Sequence, residues 1–310
     1  MRNLLNFRTA SAPTAPVAAL AALAAAVAVT AGIAAPVAAE THAADVVRTG
    51  QSISYKGISV RIPAAGEGVQ AAAQSTSGEI SLTVSRSADG SVVVKTDAER
   101  HTAQAAAPST ARANAAKTCT DSAYSLAGWK LNDFKWFYNP AGAPAAVAAT
   151  AGSAISAATT SLTSACGQKS IGLAPAYVGQ TAAAPQVGAA GNCTGNDGRN
   201  VTGWVAGSGR WLGMTCTYFK TVNGVKTATG TDTALNTQYK FFTTTANCDG
   251  AYDLQSVVLH ERGHSLGLDH VDQTAHASAV MTPALSACTA GKRTLGLGDY
   301  AGLKAMYGTR

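Results

Sequence analysis

Residues 260–270 read His260-Glu261-Arg262-Gly263-His264-Ser265-Leu266-Gly267-Leu268-Asp269-His270, and the reading of this stretch decides the fold. On a helix, His260 and His264 sit four residues apart on one face, one turn above the other. Two imidazoles so placed can grip one metal ion. Glu261 follows the first and can reach a water on that metal. Gly267 stops the helix and turns the chain, so that His270 can supply a third nitrogen. Three neutral nitrogens with an open fourth position describe a catalytic zinc site, whereas a structural site closes that position with a protein ligand.

Helix signals surround the motif. Asp253 is a candidate N-cap, Leu254, Val257 and Val258 give an apolar face, and Gly267 is a C-terminal stop. Two plainer readings compete. One is an exposed helix carrying three histidines by accident, but the chain has 6 His and three of them fall here. The other is a closed structural site with Asp269 or a later residue as fourth ligand, which leaves Glu261 without a role. Asp269 itself could orient backbone or a histidine, or face solvent. Downstream, Ser278-Ala279-Val280-Met281-Thr282-Pro283 sets Met281 in a candidate turn; its plain alternative is a core methionine.

The extended histidine motif followed by such a turn resembles the metzincins, and within them the matrixins, the matrix metalloprotease group. Asp253–Leu259 resembles the matrixin run into the first zinc histidine. Leu297–Gly308 resembles the matrixin C-terminal helix, which ends in a Tyr-Gly pair. Asp232–Asn236 resembles a matrixin strand ahead of the active-site helix. The likeness is strong over about 253–308, weak over 119–252 and absent before 119. It implies an α+β, zincin-like catalytic domain: a twisted mixed β-sheet, the active-site helix, a methionine turn around Met281 and a C-terminal helix. It implies one catalytic zinc on His260, His264 and His270, with Glu261 as the base that activates water. It also implies a protein or peptide substrate lying extended along an antiparallel edge strand, which by position is Leu212–Thr217, with Leu212, Gly213, Met214 and Thr215 at its centre. Pairing along an edge recognises backbone rather than one sequence.

The chain departs from that pattern at four places. No cysteine precedes Cys119, so latency through a propeptide cysteine is not available. His42, His101 and His276 are too scattered for a second zinc, and calcium is not indicated. Gly298 replaces the first residue of an Asp-Asp pair, leaving Asp299. Arg262 stands where relatives carry an apolar residue; its stem is expected to pack while its charge reaches water. Apart from these, Pro283 stands two residues after Met281, where some metzincins carry a tyrosine ligand, so no such ligand is expected.

Of 310 residues, 46% are hydrophobic and 13% charged, and the net charge is +6. No basic run is dense enough for nucleic acid. Arg2 and Arg8, the apolar run Val17–Ala35 and Val37-Ala38-Ala39 read as a signal peptide over 1–39; the alternative is a membrane anchor, for which alanine is a weak residue. A secreted protein, a monomer with no stable membrane insertion, is therefore expected. The 6 cysteines all lie from Cys119 onward and imply three disulfides in an exported chain. Cys248–Cys288 is the favoured pair, and Cys193–Cys216 a second.

Residues 40–101 read as a small β-rich propeptide or accessory segment, with strands over 79–85 and 91–95 joined at Ser87–Gly90. Residues 102–118 read as an Ala/Ser/Thr-rich linker, and 119–310 as the catalytic domain. There, Phe134–Tyr138 is a strand and Ala145–Ser164 a helix started by Pro144. Gly203–Tyr218 holds two strands, and Val225–Asn236 another, turning at Asn223-Gly224. The expected function is hydrolysis of internal peptide bonds by a secreted zinc endopeptidase. The alternative is a catalytically silent binding or adhesion module that kept the zinc fold.

Overall fold

The strand and turn signals resolve into one long mixed sheet flanked by helices. The computed structural model describes residues 48–97, 118–244 and 248–310. The expected signal peptide, His42, His101 and linker residues 102–117 lie outside them.

The chain begins with the hairpin β1 (Ser52–Tyr55) and β2 (Ile58–Arg61), then β3 (Glu67–Ser75), β4 (Ile80–Arg86) and β5 (Val92–Thr96). Next come β6 (Ser125–Leu126), β7 (Phe134–Tyr138), α1 (Ala151–Ser161), β8 (Pro175–Gln180), β9 (Val187–Gly188) and β10 (Asn192–Cys193). β11 (Val201–Val205), β12 (Trp211–Val222) and β13 (Val225–Asn236) follow, then β14 (Phe241–Phe242) and β15 (Tyr252–Asp253). The chain closes with α2 (Leu254–Ser265), β16 (Leu268–Asp269) and α3 (Leu297–Tyr307).

The 8-stranded sheet runs β5-β4-β3-β12-β13-β11-β7-β8. Its β8, β7, β11 and β13 are parallel, and β12, β3, β4 and β5 continue it antiparallel. The β12–β13 hairpin turns at Asn223 (φ 51°) and Gly224 (φ 76°), as the Asn-Gly pair predicts: two successive left-handed residues match the strand twist.

Each face of the sheet has its own core. On the helix side, Phe134, Trp136, Ile155, Leu212 and Leu235 meet Leu254, Val257, Val258 and Leu259 of α2. On the other side, Val69, Ala71, Leu82, Val84, Trp211, Met214 and Cys216 are capped by Ile58 and Val60 of β2, whose small sheet runs β1-β2-β10-β9. Disulfides join Cys119–Cys166, Cys193–Cys216 and Cys248–Cys288. The second staples β10 to β12. The third ties the approach to α2 to the loop beyond Met281.

Two expectations change. The N-terminal strands form no unit of their own, since Val46–Arg310 is one compact body and β3 inserts between β4 and β12. β3 escapes a sequence reading because Ala71-Ala72-Ala73 lacks both the alternation and the β-branched bulk that mark strands. The alanine-rich helix also starts later, at Ala151: residues 145–150 are tight turns in which Val147 N–H and Ala148 N–H both donate to Pro144 O.

Candidate active site

α2 holds the first two histidines because both its ends are fixed. Asp253 caps it, its carboxylate accepting from Ser256 N–H at 2.9 Å and from Arg293 Nε at 3.0 Å. The stop at Gly267 is needed twice over: its φ is +92°, and a Cβ there would lie 2.4 Å from Trp129 O. The chain can then reverse into β16, which pairs with β6 and carries His270 back beneath the helix.

The Nε2 atoms of His260, His264 and His270 converge to separations of 3.1, 3.1 and 3.0 Å. Three nitrogens bonded to one zinc at ~2.0–2.1 Å would be spaced much like this, so the donor set fits that ion. Backbone carbonyls fix two of the rings. His260 Nδ1 lies 2.8 Å from Val280 O and His264 Nδ1 3.1 Å from Leu268 O. Each Nδ1–H donates there, which leaves the Nε2 lone pair for a metal. Burial, with His270 close by, holds His260 well below the usual histidine range, so its ring is neutral, the state a metal requires. His270 Nδ1 faces Glu79 Oε1 at 3.6 Å.

Glu261 lies beside this cluster, fully buried. Thr215 Oγ1 donates to its Oε2 at 2.7 Å, and the backbone N–H of Gln74 donates to its Oε1 at 2.9 Å. Burial pushes its carboxyl up to about 8, against the pull of those two donors. Met281 is buried under the helix, and a Cβ on Gly263 would fall 2.2 Å from its Sδ, so the glycine between the two helical histidines is what admits the sulfur. Asp299 holds the turn around Met281: it accepts from Val280 N–H (2.9 Å), Met281 N–H (3.2 Å) and Gly296 N–H (2.9 Å). Asp269 binds locally, accepting from His270 N–H at 2.9 Å. His276 pairs with Asp121 at 2.9 Å.

Two expectations about side chains and strands are corrected. Arg262 does not reach water. It is fully buried, its guanidinium lies 5.0 Å and 4.7 Å from the Phe134 and Trp136 rings, and Nε donates to Thr159 Oγ1 at 3.2 Å. Two aromatic faces, and the field of buried Asp232, stand in for solvent. Nor do Leu212, Gly213, Met214 and Thr215 form an open edge. β3 lies antiparallel along β12, with Gln74 opposite Gly213, Ala73 opposite Met214 and Ala72 opposite Thr215. The backbone groups expected to await a substrate are already paired.

The structure brings together the three histidines that the sequence reading singled out, with Glu261 and Met281 packed beside them. That reading missed the parts played by Thr215, Gln74 and Glu79, which no local motif announces. It weighed Asp299 only as half of an acidic pair.

Residues 207–308 match the family model described as Matrixin, a peptidase family. The protein is matrixin-like. The matrixin-like stretch takes in β12, β13, α2, the Met281 turn and α3, and it reaches back to Gly207, into the region where motif likeness is weak. Matrixins are zinc-dependent metallopeptidases, and the likeness covers residues 207–308 of this chain. No curated protein matches the sequence. Among the described residues, no helix is long and apolar enough to cross a membrane.

Proposed function

We propose that the protein is an exported zinc endopeptidase that cuts internal bonds of extended peptides. One observation carries the reading: three imidazole nitrogens within 3.1 Å of one another, beside a buried carboxylate. His260, His264 and His270 would hold the zinc, which when bound polarises a carbonyl and brings the pKa of water from 15.7 toward ~7. Glu261 takes the proton of the attacking water and returns it to the leaving nitrogen. Its carboxyl, raised to about 8, suits a group that must both accept and donate near neutral pH. Met281 forms the floor under the rings. Three disulfides favour an oxidising compartment, in keeping with residues 1–39 acting as a signal for export. In this reading residues 119–310 carry the chemistry.

The test is Glu261→Ala, with zinc measured alongside. Casein cleavage should fall by ~10²–10⁴-fold while zinc stays bound in equimolar amount. A chelator should abolish cleavage and added zinc should restore it. Cleavage that survives Glu261→Ala sinks the mechanism. A wild-type protein that binds zinc and cuts nothing is the silent binding module instead.

A further inference from the structure

Helix–sheet interfaces are ordinarily apolar, yet four threonines line the one beneath α2. Thr215 and Thr217 of β12 stand opposite Thr233 and Thr231 of β13, and all four are buried. A buried hydroxyl is costly unless it is bonded, and these are bonded in two rungs. Thr217 Oγ1 and Thr231 Oγ1 lie 3.0 Å apart, and Thr231 Oγ1 donates to Ser265 Oγ at 3.2 Å. Thr215 Oγ1 and Thr233 Oγ1 lie 3.3 Å apart, and Thr215 Oγ1 lies 2.7 Å from Glu261 Oε2. Glu261 and Ser265 are one helical turn apart, so the rungs meet α2 at successive turns. One rung ends on a hydroxyl, the other on the carboxylate beside the histidines.

The Thr215 rung has a direction. Thr215 has one hydroxyl proton and three acceptors within reach: Glu261 Oε2 at 2.7 Å, Glu261 O at 3.2 Å and Thr233 Oγ1 at 3.3 Å. The shortest contact takes the proton. The Thr233 hydroxyl then donates to Thr215 and keeps that proton turned toward Glu261. Beside this rung the strand carries no side chain. A Cβ on Gly213 would fall 2.7 Å from Glu261 Cγ and 3.0 Å from its Oε1, so Glu261 packs directly on the β12 backbone.

We propose that Thr215 is a positioning residue for the proton transfer: its hydroxyl, oriented by Thr233, fixes the rotation of the Glu261 carboxylate. The inference rests on the peptidase reading above and adds to it a residue that acts through Glu261. A hydrogen bond that orients the base beforehand lowers the barrier without adding affinity for substrate, so it acts on kcat and not on KM. Thr217 is the internal control. It is the same residue type on the same strand, equally buried, but its hydroxyl pairs with Thr231 instead of the carboxylate.

The experiment compares Thr215→Val, Thr215→Ser and Thr217→Val in the zinc-loaded full chain by cleavage of an added peptide, zinc affinity and urea unfolding. Thr215→Val should lower kcat by ~10–100-fold, the loss of one hydrogen bond to a charged group, with KM and zinc affinity as in wild type. Thr215→Ser keeps the hydroxyl and should restore kcat. Thr217→Val should lose stability much as Thr215→Val does, yet keep its kcat. Thr215→Ala, which removes the hydroxyl and adds no methyl, gives the same reading should the valine variant not fold. A second arm needs no activity. In the metal-free chain, Thr215→Val should cost less stability when Glu261 is already Ala, by ~10-fold in the unfolding equilibrium, whereas Thr217→Val should cost the same in both backgrounds. Equal kcat losses at 215 and 217, a serine variant no better than valine, or no coupling between Thr215 and Glu261 overturns the proposal and leaves the peptidase reading intact. A wild-type chain that binds zinc and cuts nothing overturns the peptidase reading, and this role with it.

Discussion

The two faces of the central sheet present a contrast. On the helix side, chemistry and packing are spelled out locally: an eleven-residue motif, a capping aspartate and a glycine stop set three histidines and a glutamate around one point. On the other side, β2, β3 and β4 build an equally dry core from Val60, Val69, Ala71, Leu82 and Val84 against Trp211 and Met214, with no motif to announce it. Yet the unannounced side sends Gln74 and Glu79 into the site. A short motif can fix the reacting groups, while what lies against them is decided by strands far away in sequence.

If the two faces fold as one unit, damage to the N-terminal side must be felt throughout. Leu82 is fully buried in β4, and Leu82→Ala should cost about 2–5 kcal/mol. The loss should appear as a single unfolding transition by both tryptophan fluorescence and circular dichroism. Two transitions, with the helix side unmoved, would break the comparison.

A somewhat smaller effect is expected on the helix side. Gly267→Ala forces a side chain onto a left-handed residue and against Trp129 O, at a cost of about 1–3 kcal/mol. Because the same turn delivers His270, zinc affinity should drop with stability. Normal zinc affinity in that variant would show that β16, not the turn, positions the ring.

The last test concerns a carboxyl inside the sheet, and its effect is read as a pH dependence. Asp232, buried in β13, accepts from Val201 N–H at 2.9 Å, and burial raises its carboxyl from 3.8 to about 7. The folded protein keeps a proton there that the unfolded chain releases above 3.8, so this group's contribution to stability falls as pH rises from about 4 to about 7. Asp232→Asn keeps the acceptor and removes the titration. Its stability relative to wild type should grow across that window, measured by urea unfolding at several pH values. A flat difference would mean the carboxyl is ionised throughout, compensated by Arg262.

Legibility follows the range of the forces involved. Asp253, His260, His264 and Gly267 were readable because caps, helical spacing and left-handed turns act over a few residues. The Asn223-Gly224 hairpin and the β4–β5 turn were readable for the same reason. Arg262 was misread because its environment is made by Phe134, Trp136 and Thr159, more than 100 residues away. β12 was misread as an edge because an alanine-rich strand carries no pattern of its own.

The sequence by itself singled out the three histidines, Glu261 and Met281, which residue type and short spacing mark, and named two of the three cysteine pairs. Only the tertiary structure decided that β3 lies along β12, that Thr215 and Gln74 hold Glu261, and that Glu79 faces His270. Those pairings depend on backbone hydrogen bonds and apolar burial between distant segments, for which almost any small or apolar residue will serve, and a preference shared by so many residues leaves no signature in the sequence.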